Sequence, residues 1–582
     1  MPGRGRPVFE SPLPALSPAR LRIPGRLAGL DLRRLPLLRF DVIVIGGGAA
    51  GASAALSAAG EGAAVALLTK ARLEQGNTLW AQGGVAAVLS EHDSFEAHVA
   101  DTLEVGCGLC EPSVVEHVIR RGPGAIERLI KRGAQFDREA DGNIALSREG
   151  GHSFARVLHA NGDATGRELQ RALMASLLEA EGIECFDHTF VVDLMLEEGG
   201  GVCGAVALAD DGTWFGFTAS QVILATGGSG QLYRETTNPN IATGDGLALG
   251  LRAGAALRDL EFYQFHPTCL YIAGAARVLI SEIVRGHGGR LRDRNGERFM
   301  SEFHPDAELA PRDVVSRAVA EQMARSQDTN VYLDLSAVDG DPHKLFPGIS
   351  RTCQLFGIDI ARDFVPVRPG AHYQIGGLEV DLSGRTSVEG LWAVGEVAST
   401  GLHGANRMGS NSLLEGLVLG EEAGRRAAGC VREVARGRIR AERDDLLVER
   451  GEVTVNADDV LYSLKSMMWR QMGVVRRAPD LADALTRIDL WMRAVVGLSP
   501  PNRSSYELIN MLTVARLAFG AADFRTESRG AHFRSDHPER DKALWQAHTR
   551  ILPGRDGDWI ESLEFEKSAL VSEAVGTPGN SR

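Results

Sequence analysis

The sequence predicts an α/β protein opening on a doubly wound domain, and three stretches carry that prediction. "FDVIVIGGGAAGASAALSAAG" (40–60) runs a short apolar strand into a glycine turn and an alanine-rich helix. "AAVALLTK" (63–70) supplies the next strand and completes a β–α–β unit. Residues 184–225 then read as successive short strands separated by glycine turns.

In chain order, the first strand covers Val42 to Ile45 and the first helix Ala50 to Ala59. Helical periodicity follows over about 94–133 and 165–182. A mixed region occupies about 260–370. Strand and turn return in "GLEVDLSGRTSVEGLWAVGEVA" (377–398), with a helix after Asn411. From about 425 the pattern is long, charged and helical, with "AADFRTESRGAHFRSDHPERD" as a loop-rich exception. These shifts divide the chain into a disordered basic extension (1–39), the opening domain in two parts (40–259 and 371–424), an inserted α+β segment (260–370), a helical C-terminal domain (425–553) and a flexible tail (554–582).

The 582 residues exceed one ordinary domain; roughly two to four are expected. No run approaches 18 uninterrupted apolar residues, so no membrane helix is expected. The net charge of −13 is uneven: residues 1–39 carry eight arginines against Glu10 and Asp31, a local +6 that leaves −19 for the rest. An acidic body argues against nucleic-acid binding, which needs clustered cations to release counterions. The seven cysteines are few and scattered, which points to a reducing, cytoplasmic setting. "CGLC" (107–110) has thioredoxin spacing, but no second pair or neighbouring histidine completes a metal set, and the thiols read as structural. The arginine-rich start lacks the apolar core of a secretory signal; it reads as a disordered extension or an over-extended start, with a transit peptide as the alternative.

Gly46, Gly48 and Gly51 form G-x-G-x-x-G between strand and helix. The first permits the tight turn, the second lets backbone approach a pyrophosphate, and the third lets the helix pack on the strand. With Gly47 and Ala49 they make a Rossmann-type dinucleotide site, the helix N-terminus facing the negative charge. Lys70 stands where an acidic ribose ligand is expected, and meets either a phosphate or the adenosine edge. Three further turns, "NTLWAQGG" (77–84), "ATGGSG" (225–230) and "ATGDG" (242–246), favour a large two-part flavin, FAD, over a nicotinamide. Asn77, Thr78, Ala81, Gln82, Gly83, Gly84 and Gly227 are its candidate contacts. Asp245 and Glu396 read as acids on ribose or ribityl hydroxyls, with structural salt bridges as the alternative.

Ten motifs in one order carry a resemblance: "GGGAAG", "AQGG", "ATGG", "ATGDG", "QFHPT", "SEIVRGHGG", "ELAPRDVVSRA", "HYQIGG", "GEVASTGLHGANRMGSNSLLEG" and "ESRGAH". Over about 40–535 the chain resembles the flavoprotein family of succinate dehydrogenases, fumarate reductases and L-aspartate oxidases. Three features favour the oxidase branch. Asn77 stands where most succinate dehydrogenases carry the histidine that binds FAD covalently. "REGGHSFARVLHANGDATGREL" (148–169) is similar to the oxidase segment, and Ser410 and Glu415 match oxidases where dehydrogenases usually have Ala and Asp. "MMWRQMGVVRR" (467–477) is also oxidase-like. Ser281, where many oxidases have Thr, and Ile375 depart from the pattern.

The resemblance implies non-covalent FAD, a capping role for 260–370, and a site for C4 dicarboxylates. A dianion taken out of water needs fixed positive donors, and arginine's planar fork matches a carboxylate. Arg407, His372 and His266 are the expected carboxylate clamps, with Gln264, Ser281 and His403 assisting. Glu149 is implied as the partner of an amino-acid ammonium. Arg312 is implied as the proton shuttle with Arg285 as relay; arginine holds its proton above about pH 12, so the base role rests on the resemblance alone. Ser412 and Leu413 are expected to offer backbone amides to the flavin edge. The implied reaction is oxidation of L-aspartate to iminoaspartate with O2 or fumarate as acceptor, opening NAD biosynthesis through quinolinate, with hand-off of the imine to quinolinate synthase. The alternative is a fumarate reductase or succinate dehydrogenase flavoprotein subunit. The acidic body and the set at 266, 312, 372 and 407 speak against a flavin-dependent RNA-modifying protein.

Overall fold

The computed structural model describes residues 23–28, 35–274, 277–434, 455–496, 502–556 and 559–570. At its centre lies a five-stranded parallel sheet in the order Leu391–Ala393, Gln221–Leu224, Val42–Ile45, Val65–Leu68 and Ile183–Phe186. Its three inner strands are buried throughout, which is why they read as continuous apolar runs rather than alternating ones. The helices Ala49–Gly60 and Asn411–Ala428 pack together, one opening and one closing this domain in sequence. Gly46 has φ +113°, and a Cβ there would meet the Ala225 carbonyl oxygen at 2.2 Å, so only glycine makes the turn from strand to helix.

The inserted segment forms its own sheet, ordered Val278–Leu279, Tyr263–Leu270, Val365–Gln374, Val331–Asp334 and Arg290–Arg292, all antiparallel. The helix Arg312–Ser326 packs on the Tyr263–Leu270 strand and seals a separate hydrophobic cluster. Three helices, Ala457–Gln471, Ala478–Val496 and Arg503–Phe524, make the C-terminal bundle. No helix among the described residues is long and apolar enough to cross a membrane.

The expected loose ends are partly structured. Of the 1–39 extension, 1–22 and 29–34 lie outside the described residues. Ile23–Pro24, however, pairs with Trp559–Ile560, and Leu27 and Ala28 donate backbone N–H groups to Asp193 at 2.6 and 2.8 Å. Leu37–Arg39 adds a parallel strand beside Trp214–Thr218. At the other end, Ala547–Asp556 and Trp559–Ala569 form an antiparallel hairpin instead of a helix end and a free tail. That hairpin joins Leu257–Arg258, so one sheet brings Ile23–Pro24, Leu257–Arg258 and the hairpin together from distant parts of the sequence.

Candidate functional site

A cavity of about 250 Å³ runs from Lys70, Phe190 and Asp245 at one end, past the glycine turn, to His266, His372 and Arg407 at the other. Its wall fits a dinucleotide flavin. Besides Gly46, Gly47 leaves no room for a side chain, because a Cβ would lie 2.8 Å from the Leu73 carbonyl. At the head of the helix, Ala49 donates its N–H to Thr78 Oγ1 at 3.0 Å. Asn77 Oδ1, Gln82 Oε1, Thr226 Oγ1 and Asn238 Oδ1 lie buried along this wall without a protein partner, as groups awaiting a polar ligand would. Gly48, Gly83, Gly84, Gly227, Ala81, Ser412 and Leu413 line the same cavity. Gly51 stands one turn back, holding helix to strand: a Cβ there would meet the Gly46 carbonyl at 1.9 Å.

The two acids expected on sugar hydroxyls are both engaged by the protein. Lys70 Nζ donates to Asp245 Oδ2 at 2.6 Å and to Glu507 at 2.9 Å, while Asn510 holds Asp245 Oδ1 at 2.8 Å. Burial pushes the Asp245 carboxyl up, but Lys70 and these donors bring it below the ordinary value. Asp245 and Lys70 are thus paired with each other at this end of the cavity. Glu396 accepts from Asn77 Nδ2 and the Gln374 N–H, both at 2.9 Å, and burial leaves its carboxyl raised.

At the far end the wall sets Arg312 and Arg407 against Glu149 and Glu282 around two histidines. His266 and His372 project from the paired strands Tyr263–Leu270 and Val365–Gln374, their rings 5.3 Å apart. A backbone irregularity between Gln264 and Phe265 shifts the register beside them. Burial and then Arg312 keep both imidazoles neutral, well below their usual range. His266 Nδ1 accepts from the Thr268 N–H at 3.3 Å, so its proton sits on Nε2, which is buried and unpartnered. Arg407 lies over the Tyr373 ring at 4.9 Å and donates through Nε to Ser412 Oγ at 2.6 Å. Its Nη1 is buried without a partner, and burial with Arg312 nearby pulls its pKa down to about 10.

Arg312 begins its helix directly after Pro311 and donates to Glu282 Oε2 at 2.7 Å and Gln264 Oε1 at 3.3 Å. Opposite stands Glu149, 3% exposed, with Oε2 taking the Ser410 hydroxyl at 2.7 Å and Oε1 unpartnered. Ser410 has φ +64°, a left-handed conformation uncommon for a non-glycine residue. Ser281 lines the cavity between these groups.

Three expected substrate contacts do not line the cavity. Gln264 lies behind Arg312, its amide tied to the Arg407 carbonyl at 2.6 Å. Arg285 is buried one layer out, 3.3 Å from Glu282 and bonded to the Glu308 carbonyl. His403 is paired with Glu415 at 3.0 Å and with the Tyr373 hydroxyl at 3.3 Å. Conversely, Glu282, Tyr373 and Thr237 line the wall and were not singled out, though "SEIVRG" and "HYQIGG" contain the first two.

A family model described as "FAD binding domain" matches residues 41–413, and one described as "Fumarate reductase flavoprotein C-term" matches 462–572. The chain is 43% identical to the L-aspartate oxidase of Streptomyces coelicolor over 544 residues, covering 88% of this chain and 92% of that one. It is 44% identical to the L-aspartate oxidase of Mycobacterium tuberculosis over 505 residues, 86% of this chain and 92% of that one. Among solved structures, FrdA of the E. coli quinol fumarate reductase superposes with a TM-score of 0.85 at 32% identity, covering 93% and 98% of the two chains.

Proposed function

We propose a function from one premise: this chain belongs to the L-aspartate oxidase family, within the wider FAD-dependent fumarate reductase flavoproteins. It is an FAD-dependent oxidoreductase that oxidises L-aspartate at its CH–NH2 group to iminoaspartate, a step of NAD biosynthesis. The observation that supports this substrate best is Glu149. A buried carboxylate with one free oxygen, set opposite Arg312 and Arg407, suits an ammonium between two carboxylates and is of no use to succinate.

The substrate carboxylates are met by Arg407, through the fork left free by Ser412, and by the Nε2–H of His266 with His372 beside it. Seated on the Tyr373 face, with the Glu149 and Glu396 carboxylates also favouring its charge, Arg407 stays ionised. Glu149 Oε1 takes the ammonium and so sets the Cα–H direction. When bound, FAD supplies the acceptor for the hydride leaving Cα. One proton leaves the nitrogen in the same oxidation; Arg312, already charged, can receive it only while handing a proton of its own to Glu282, 2.7 Å away, with Arg285 3.3 Å beyond. The capping sheet excludes water from the imine. O2 or fumarate is the terminal acceptor, and the unstable product suits a hand-off to quinolinate synthase.

The test is one assay of the purified flavoprotein with L-aspartate, D-aspartate, L-glutamate and succinate, following peroxide. Peroxide from L-aspartate alone supports the reading; flavin bleaching by succinate with L-aspartate inert overturns it.

A further inference from the structure

A buried polar cluster behind Glu149 is used by none of the steps above. Arg156, fully buried, is fixed by Asp93 through two bonds of 2.8 Å and by Asp101 at 2.5 Å. Its Nη1 then points at His152 Nδ1, 3.3 Å away. A guanidinium can only donate, so Nδ1 must accept and the His152 proton sits on Nε2. That N–H donates to the Gly409 carbonyl at 3.1 Å, the residue just before the left-handed Ser410. Burial holds His152 below the ordinary imidazole range, in agreement with a neutral ring in one tautomer.

His152 also belongs to the turn that carries Glu149: its backbone N–H donates to the Glu149 carbonyl at 3.1 Å. One imidazole therefore ties the Glu149 turn to the Gly409–Ser410 bend. Those two segments meet again where Ser410 Oγ donates to Glu149 Oε2. A neighbouring ring, His98, fixes the next residue of the bend, Asn411, at 2.9 Å.

We propose that His152, its tautomer set by Arg156, is a positioning residue for substrate specificity: it locks the Ser410 hydroxyl onto Glu149 so that Oε1 alone faces the substrate ammonium. The proposal rests on L-aspartate being the substrate. Without the His152 clamp Glu149 can turn, and the discrimination between L-aspartate and a dicarboxylate lacking nitrogen declines. The carboxylate contacts at Arg407 and His266 are untouched, so they serve as an internal control.

The variants are His152→Phe, His152→Gln and Ser410→Ala, each purified as the FAD-loaded full chain. Two quantities are read on each: kcat/KM for L-aspartate, and the Kd of succinate from its perturbation of the flavin spectrum. His152→Phe is expected to lose about tenfold or more in kcat/KM, most of it in KM, with the succinate Kd within about threefold of wild type. His152→Gln, which keeps an N–H donor, recovers part of the loss. Ser410→Ala removes the same contact at the surface of the cavity and decides the matter if His152→Phe does not retain flavin. Parallel weakening of both ligands, or no change in either, overturns the proposal. If wild type itself fails to oxidise L-aspartate, the substrate reading is what has failed.

Discussion

Glu149 and Arg312 flank the backbone of Gly409, where a Cβ would lie 3.0 Å from a side-chain atom of each. The bend between acid and base is thus glycine because the two side chains need its space. We expect Gly409→Ala to press the guanidinium and carboxylate off their positions, lowering kcat/KM by roughly tenfold while destabilising the fold by about 1–3 kcal/mol. Steady-state kinetics beside a urea titration check both halves; an unaltered kcat/KM would show that the fit at Gly409 is not critical.

Glu149→Gln keeps the shape and removes the charge that faces the ammonium. KM for L-aspartate should rise about a hundredfold. Succinate, titrated against the flavin spectrum, should bind as well as before or better. Equal losses for both would assign Glu149 to packing.

The resemblance puts Asn77 where most succinate dehydrogenases carry the attaching histidine, and its amide is engaged with Glu396. Acid precipitation should therefore leave the yellow colour in the supernatant. A coloured pellet that survives washing would contradict non-covalent binding.

Lys70 and Asp245 form a pair with both side chains at most 15% exposed. Lys70→Met leaves the carboxylate uncompensated and should cost about 3 kcal/mol of stability. Adding Asp245→Asn should recover much of that loss, which a double-mutant cycle in urea measures. Full additivity of the two losses would mean the pair is not coupled.

His548 sits between Asp259 and Glu111, at 3.1 Å from the latter, with Arg258 and Arg525 beyond. Burial disfavours its charge, yet the two carboxylates leave its pKa above the ordinary 6.5. A raised folded value means the stabilisation is fully present below about pH 6.5 and fades as pH climbs through the folded pKa. The Tm gap between wild type and His548→Gln should be largest near pH 6 and narrow toward alkaline pH. A gap that widens with pH would refute the assignment.

The cofactor cradle was legible because close backbone approach leaves only glycine, and Gly46, Gly48 and Gly51 stand at fixed spacing. The substrate end was legible residue by residue but not in depth. "QFHPT" and "HYQIGG" name His266 and His372, yet nothing in the one-dimensional pattern separates a wall residue from one behind it. Gln264, Arg285 and His403 were placed a layer too far forward for that reason. Tyr373 was overlooked because an aromatic beside a histidine signals packing until its ring is seen under Arg407. The C-terminal hairpin was hidden by the charged helical pattern that precedes it in the sequence. Ile23–Pro24 had none, since its partner lies more than 500 residues away.

Val42–Ile45 bonds to Val65–Leu68 on one edge and to Gln221–Leu224 on the other, with about 175 residues of chain between Ile45 and Gln221. On the ribosome the first edge can close at once, whereas the second stays bare until that much more polypeptide has been made. A wholly apolar strand with an open edge invites pairing with another chain. Yield of this protein in a heterologous host should accordingly depend on translation speed and chaperone supply across residues 45–221 more than on the stability of the finished fold.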